Sequence, residues 1–326
     1  MTTTPRRVVV VGASLAAIRA ADAFRRAGFE GSLTLVGDEP HQPYDRPPLS
    51  KDVLAGQRSP STTRLHDDDK LAELGIEWRL GVRAESLDVD AGRVALADGD
   101  QLPFDRLLIA TGARPRRLPG TDGVAGVHTL RTLDDCEGLR ADLEAGPRRV
   151  VVVGAGFIGA EVAATCRGLD LDVTLLEAAP VPLERALGER MGLVCAEVHR
   201  EHGVDVRLGV GVESLRGTNR VEAVVLADGT VVEADVVLVG IGVTPNTEWL
   251  EGSGLTIDNG VVCDATTLAA PGICAAGDVA RWPNGRFGGE VMRVEHWDNA
   301  VEMGAHAARR LLADDHEAEA YEPVPW

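Results

Sequence analysis

The segment RVVVVGASLAAIRAADAFRRAG, Arg7 to Gly28, returns as RVVVVGAGFIGAEVAATCRG, Arg149 to Gly168, 142 residues later. An unbroken valine run is the pattern of a strand buried on both faces, as in a parallel sheet covered by helices. A glycine turn follows each run, and the Ala-rich stretches 14–26 and 156–167 predict helices that lie close to the strands they leave. The likeness continues downstream. RLGVRAESL (Arg79 to Leu87) and RLGVGVESL (Arg207 to Leu215) are 128 apart, and LADG recurs at Leu96 and Leu226, 130 apart. Apolar strands after Asp105 and Asp235 are again 130 apart. Four landmarks at similar spacing predict two related α/β units rather than one large sheet.

The first copy is longer by 14 residues between its second strand and the RLGV segment, and this stretch includes HQPYDRPPLSK, His41 to Lys51. Its prolines predict an extended or turning segment rather than a helix. An insertion in one copy suggests that the copies bind different nucleotides, with the extra loop serving the larger one. Two further strands and a helix are expected after Thr247. The chain therefore reads as a discontinuous first domain, 1–113 with 247–326, and a second domain, 114–246, inserted into it.

Composition removes several alternatives. The 326 residues suffice for about two domains. A net charge of −18 argues against a nucleic-acid surface, which needs a basic footprint. Cys136, Cys166, Cys195, Cys263 and Cys274 are odd in number, dispersed and never in a C-x-x-C pair. That argues against a secreted disulfide scaffold, a zinc ribbon or a dithiol redox centre, and fits a reducing cytoplasm. The start, MTTTPRR, carries no signal-peptide pattern, and no apolar run reaches the roughly 18 residues of a membrane span.

Gly154-x-Gly156-x-x-Gly159 follows a predicted strand and opens a predicted helix, the context that makes this motif informative. The first glycine permits the tight turn, the second admits a pyrophosphate to the backbone, and the third lets helix and strand pack. The helix N-terminus then faces the phosphates with about half a positive charge. Glu177 ends the next predicted strand, where a carboxylate accepts from both ribose hydroxyls and repels a 2′-phosphate, so NADH is favoured over NADPH. In the first copy the motif is degraded to Gly12-x-Ser14-x-x-Ala17, with Asp38 or Glu39 as ribose acceptor or as a surface turn acid.

With these motifs the sequence resembles the flavoprotein NADH-dependent ferredoxin reductases of bacterial oxygenase systems, the group that serves biphenyl dioxygenase and putidaredoxin. The resemblance covers essentially the whole chain. Besides the glycine motifs it rests on PYDRPPLSK (Pro43 to Lys51), ATGARPR (Ala110 to Arg116), HTLRT (His128 to Thr132), GIGVTPN (Gly240 to Asn246), CAAGD (Cys274 to Asp278), EHWDNA (Glu295 to Ala300) and the closing PVPW. It implies two Rossmann-like domains of the glutathione-reductase type, the first for FAD and the second for NADH. Gly12, Ser14, Ala17 and Arg46 would hold the FAD pyrophosphate, Thr111 and Gly112 would line the same cofactor, and Gly277-Asp278 would meet its ribityl chain. Gly154, Gly156, Gly159, Glu177 and Gly242 would hold NADH.

The resemblance further implies that Lys51 lies against the flavin near N5 and pairs, across the domain interface, with Glu161, which meets the nicotinamide carboxamide. By position alone Glu161 suits the first turn of a helix, where a carboxylate complements the dipole. Trp297 and Ala300 would open a helix facing the flavin pyrimidine ring, with Trp297 equally readable as core; His296 is either a flavin neighbour or a packing residue. Disulfide reductases of the same broad fold place thiols beside the flavin; this chain has RPPLSK there, and Cys166 and Cys274 read as small buried residues. His199 and His202 lack the further ligands of a metal site.

The implied activity is hydride transfer from NADH to FAD, which needs stacking at about 3 to 3.5 Å, then single-electron transfer to a 2Fe–2S ferredoxin. Basic clusters Arg114-Arg116-Arg117 and Arg309-Arg310 would offset the overall acidity when an acidic ferredoxin docks. Two alternatives are an NADH oxidase or quinone reductase, and an NADH-sensing flavoprotein resembling apoptosis-inducing factor. The family continues past PVPW into a C-terminal interface domain, expected to be absent from a chain ending at Trp326. Oligomeric state stays open.

Overall fold

The computed structural model describes residues 5–323. Met1–Thr4, part of the start on which the expected lack of a signal peptide rests, and Val324–Trp326 of PVPW lie outside the described residues. The chain forms two compact units, one of residues 1–45, 64–113 and 245–326, the other of 46–63 and 114–244.

In the first unit β1 (Arg7–Val11) leads through the glycine turn to α1 (Leu15–Arg26), and β2 (Ser32–Gly37) and β3 (Ile76–Leu80) extend the sheet on one side. β4 (Arg106–Ile109) flanks β1 on the other. In the second unit come β5 (Val127–His128), α2 (Leu133–Glu144), β6 (Arg149–Val153), α3 (Phe157–Gly168), β7 (Asp172–Glu177), α4 (Glu184–Glu201), β8 (Asp205–Leu208) and β9 (Val236–Val239). Its sheet has the order β8-β7-β6-β9-β5 and is parallel throughout. The chain then returns to the first unit with β10 (Leu268–Ala270), β11 (Ile273–Ala275) and α5 (Trp297–Leu312), completing a sheet of order β10-β11-β4-β1-β2-β3 in which only β10–β11 is antiparallel.

The sequence repeat is also a repeat of register. Val8–Val11 lie opposite Arg106–Ile109, and Val150–Val153 opposite Val236–Val239. The three-stranded antiparallel sheet 84–88, 93–96, 101–103 recurs at 212–216, 223–226, 231–233, with the same register shift between Ala84/Ser86 and Val212/Ser214. The valines of β1 and β6 are buried, as a two-sided parallel strand requires. An aspartate anchors each copy at the foot of its sheet. Asp105 accepts from the Arg6 and Arg7 amides at 2.8 and 2.9 Å, and Asp235 from those of Arg148 and Arg149, both at 2.9 Å. Each also pairs with an arginine side chain, Arg7 at 2.7 Å and Arg149 at 2.6 Å. These bonds hold both carboxyls below their usual range.

Three expectations need correction. Pro47–Ser50 forms one turn of 3₁₀ helix, because prolines at its start cost no intrahelical bond. Residues 46–63 group with the second unit, not the first. Thr165 of α3 donates to the Ser50 carbonyl at 2.7 Å and the Cys136 thiol of α2 to the Leu49 carbonyl at 3.2 Å, while Leu49, Val53 and Leu54 are buried. Among the described residues after Thr247 there are five strands rather than two: 261–262, 280–284 and 290–292 make a separate sheet, too short to leave a periodic signal.

Candidate functional site

Both glycine turns close tightly against the neighbouring strand end, and the second also opens above. Gly12 and Gly154 have φ of +116° and +97°, and a methyl on either would stand 2.1 Å from the Ala110 carbonyl or 2.4 Å from that of Gly240. A methyl on Gly159 would be 1.9 Å from the Gly154 carbonyl, so the third glycine is there for helix–strand contact. Gly156 differs: a methyl there would meet nothing within 4 Å. That open face is the cradle a pyrophosphate needs. Neither α1 nor α3 has an acid in its first turn, and the N-caps Ser14 and Gly156 make no side-chain cap, so the helix N-termini suit an anion. In the first unit Ala17 is 1% exposed, and close approach is supplied from α5 instead, where a methyl on Gly304 would be 2.3 Å from the Ala16 carbonyl.

Around the first turn, Glu39 accepts from the Tyr44 hydroxyl, while exposed Asp38 lies 3.7 Å from Arg83. Thr111 donates to the Asn246 carbonyl at 2.8 Å, the Asn246 amide returns to the Thr111 carbonyl at 2.9 Å, and Gly112 has φ +63°. Gly277 has φ +74°, and its N–H points at the Met303 sulfur, 3.3 Å away; the Asp278 carbonyl accepts from Arg293 at 2.7 Å. Trp297 is 39% exposed and donates to Asp45 at 2.8 Å, which removes the core reading. His296 caps α5, its Nδ1 accepting from the Asp298 amide at 3.2 Å, and Ala300 sits one turn in. Asp45 and Tyr44 were not anticipated, although both lie inside the PYDRPPLSK motif.

In the second unit the Glu177 carboxylate accepts from Ala155 of the glycine turn at 2.7 Å and from Ala179 at 2.9 Å. It thus fixes the turn as well as ending β7. Gly242 has φ +98° with open space around it. Arg46 donates to the Arg131 carbonyl, within this unit.

Lys51 and Glu161 form an ion pair at 2.7 Å, and because residues 46–63 belong to the second unit, the pair is internal to it rather than across an interface. Glu161 is the fifth residue of α3, past the first turn, so dipole compensation does not account for it. The Ser50 hydroxyl, 1% exposed, donates to the same carboxylate at 2.5 Å. Ser50 and Thr165 were missed; Thr165 follows Glu161 by one helical turn, which places both on one face.

The cysteines form no disulfide. All five are free. Burial pushes the Cys136 thiol up to about 11 and those of Cys166, Cys263 and Cys274 up to about 12, far from thiolate formation. Among the described residues no group of His, Cys, Asp or Glu could hold a metal, and no helix is long and apolar enough to cross a membrane. The basic clusters divide: Arg114, Arg116, Arg117 and Arg309 are exposed, but Arg310 is buried and bonded to Thr266 at 3.0 Å, because its position falls on the inner face of α5.

A profile of pyridine nucleotide-disulphide oxidoreductases matches residues 6–304. The chain is 43% identical over 322 residues to the ferredoxin–NAD(+) reductase component of the p-cumate 2,3-dioxygenase system of Pseudomonas putida, covering 98% of this chain and 77% of that one. It is 44% identical over 306 residues to the corresponding biphenyl dioxygenase component of Paraburkholderia xenovorans, covering 93% and 74%. Among solved structures, the covalent putidaredoxin reductase–putidaredoxin complex matches at 38% identity with a TM-score of 0.88, covering 94% and 76%.

Proposed function

Because this chain belongs to the pyridine nucleotide-disulphide oxidoreductase family and to its ferredoxin–NAD(+) reductases, we propose that it is an FAD-dependent NADH:ferredoxin oxidoreductase serving an oxygenase or P450. The observation that carries this reading within the family is the state of the cysteines. All five are free and far apart in sequence, and burial pushes four of the thiols up, which disfavours a dithiol relay to a disulfide substrate; the 2Fe–2S ferredoxin as acceptor is supported by the relatives.

FAD, when bound, accepts a hydride from NADH and releases electrons singly. The chain supplies the rest. Gly12, Ser14 and Ala17 with the N-terminus of α1 hold the FAD pyrophosphate, and Asp38 or Glu39 its ribose. Arg46, Thr111, Gly112, Gly277, Asp278, Trp297 and Ala300 complete that site. Gly154, Gly156, Gly159 and Gly242 shape the NADH site, and the Glu177 carboxylate excludes a 2′-phosphate. Lys51 supplies positive charge that favours an electron-rich reduced ring system, and Glu161 holds that ammonium in place. Free, dispersed cysteines support a reducing cytoplasm as its compartment. Exposed Arg114, Arg116 and Arg117 offer the basic contact for an acidic partner.

Anaerobic titration of the flavin-bound protein tests the reading. One equivalent of NADH should bleach the flavin absorbance, NADPH should do so far less well, and subsequent mixing with oxidised ferredoxin should restore it. Bleaching that a disulfide reverses faster than ferredoxin would contradict it.

A further inference from the structure

Two donors converge on one oxygen of Glu161. The Ser50 hydroxyl at 2.5 Å and the Lys51 ammonium at 2.7 Å both reach Oε2, whereas Oε1 accepts nothing among the described residues. Ser50 has a nearer-neighbour alternative, the Pro47 carbonyl 3.4 Å from its oxygen, the ordinary local bond of a serine ending a one-turn helix. Its single proton goes to the carboxylate instead, since a charge-assisted bond is the stronger. Ser50 is itself held: it is 1% exposed, and Thr165, one turn beyond Glu161 on α3, donates to its carbonyl at 2.7 Å. The turn and the helix therefore grip each other through two bonds, one of which ends on the carboxylate.

We propose that Ser50 is a positioning residue that divides the Glu161 carboxylate, committing Oε2 to the protein and presenting Oε1 as the acceptor for the carboxamide N–H₂ of the bound dinucleotide. The inference rests on the NADH reading above. The adenosine end has its own carboxylate, Glu177 at the end of β7, which leaves Glu161 for the other donor-bearing end of the molecule. With both donors on one oxygen the carboxylate cannot rotate to exchange its oxygens without breaking two bonds. A fixed lone acceptor selects a ligand that donates and rejects one that only accepts, because two facing acceptors leave both unsatisfied. Ser50 thus acts on nicotinamide recognition through Glu161, and Thr165 acts through Ser50.

Binding to the flavin-loaded protein tests this by calorimetry with two probes, NAD⁺ and nicotinic acid adenine dinucleotide, whose carboxylate replaces the carboxamide. The native protein should favour NAD⁺ by about tenfold or more, the difference one hydrogen bond to a charged group makes. Ser50→Ala should narrow that ratio to about threefold or less, raising KM for NADH while leaving kcat within about twofold. Ser50→Thr, which keeps the hydroxyl, should restore the ratio. Thr165→Val should narrow it less, and it decides the matter if Ser50→Ala does not fold. An unchanged ratio in both Ser50→Ala and Thr165→Val, or equal loss of affinity for both probes, would overturn the assignment of Ser50 alone. Failure of the native protein to bind NAD⁺ or to be bleached by NADH would overturn the functional reading with it.

Discussion

Glu177 carries two loads at once. Its oxygens accept from Ala155 and Ala179, so the carboxylate proposed as the ribose acceptor also fixes the glycine turn. Glu177→Ala should therefore not simply convert the protein to NADPH use. Two backbone donors lose their partner at a cost of roughly 1 kcal/mol or more each, and kcat/KM for NADH should fall at least about tenfold through KM, while the NADH-to-NADPH preference narrows. Steady-state kinetics with both dinucleotides check this; an unchanged KM for NADH would show that the turn does not depend on Glu177. The cysteines give a second residue-scale expectation. Cys195 is the one thiol that is not fully buried, so N-ethylmaleimide at pH 7.5 should label it alone, without loss of NADH-dependent activity. Mass spectrometry showing a second labelled site, or inactivation that follows labelling, would reopen a thiol relay.

At the scale of elements the duplication was legible in full, because each copy's landmarks are local: valine runs, glycine turns and an aspartate before the closing strand. The structure repeats them down to a shared register shift. What was not legible depended on contacts distant in sequence. Prolines say that 46–51 is no α-helix, but contacts with residues distant in sequence, such as Glu161 and Thr165 of α3 and Cys136 of α2, decide which unit the segment joins. The burial of Arg310 was legible and overlooked: Met303, Ala307, Arg310 and Leu311 recur at helical spacing, and all are buried. The paired clamps make a prediction of their own. Asp235→Ala should destabilise the protein by about 1 to 2 kcal/mol at neutral pH, a figure discounted for partial exposure. Asp235 is held below its unfolded value, so its contribution is complete above about pH 4 and is lost as pH falls further. The gap in urea midpoint between native and variant should be constant from pH 8 to 5 and close below pH 4; a gap that closes on raising the pH would contradict the assignment.

For the whole molecule the governing quantity is charge. A net charge of −18 opposes the approach of an acidic partner at long range, but screening limits that field to about 8 Å at physiological salt, which leaves room for the proposed docking through local arginines. Arg114, Arg116 and Arg117 changed together to Glu should slow ferredoxin reduction about tenfold or more at low salt and spare ferricyanide reduction. Equal loss with both acceptors would place the defect in the protein itself rather than in docking. On the proposed function, electrons taken from NADH leave one at a time to an iron–sulfur partner without passing through thiols. Aerobic NADH oxidation by the flavin-loaded protein, followed with cytochrome c as terminal acceptor and with and without a 2Fe–2S ferredoxin, distinguishes this route from its rivals. Rapid cytochrome c reduction that appears only when ferredoxin is added is the predicted result. NADH consumption that is equally fast without ferredoxin and ends as hydrogen peroxide would contradict it.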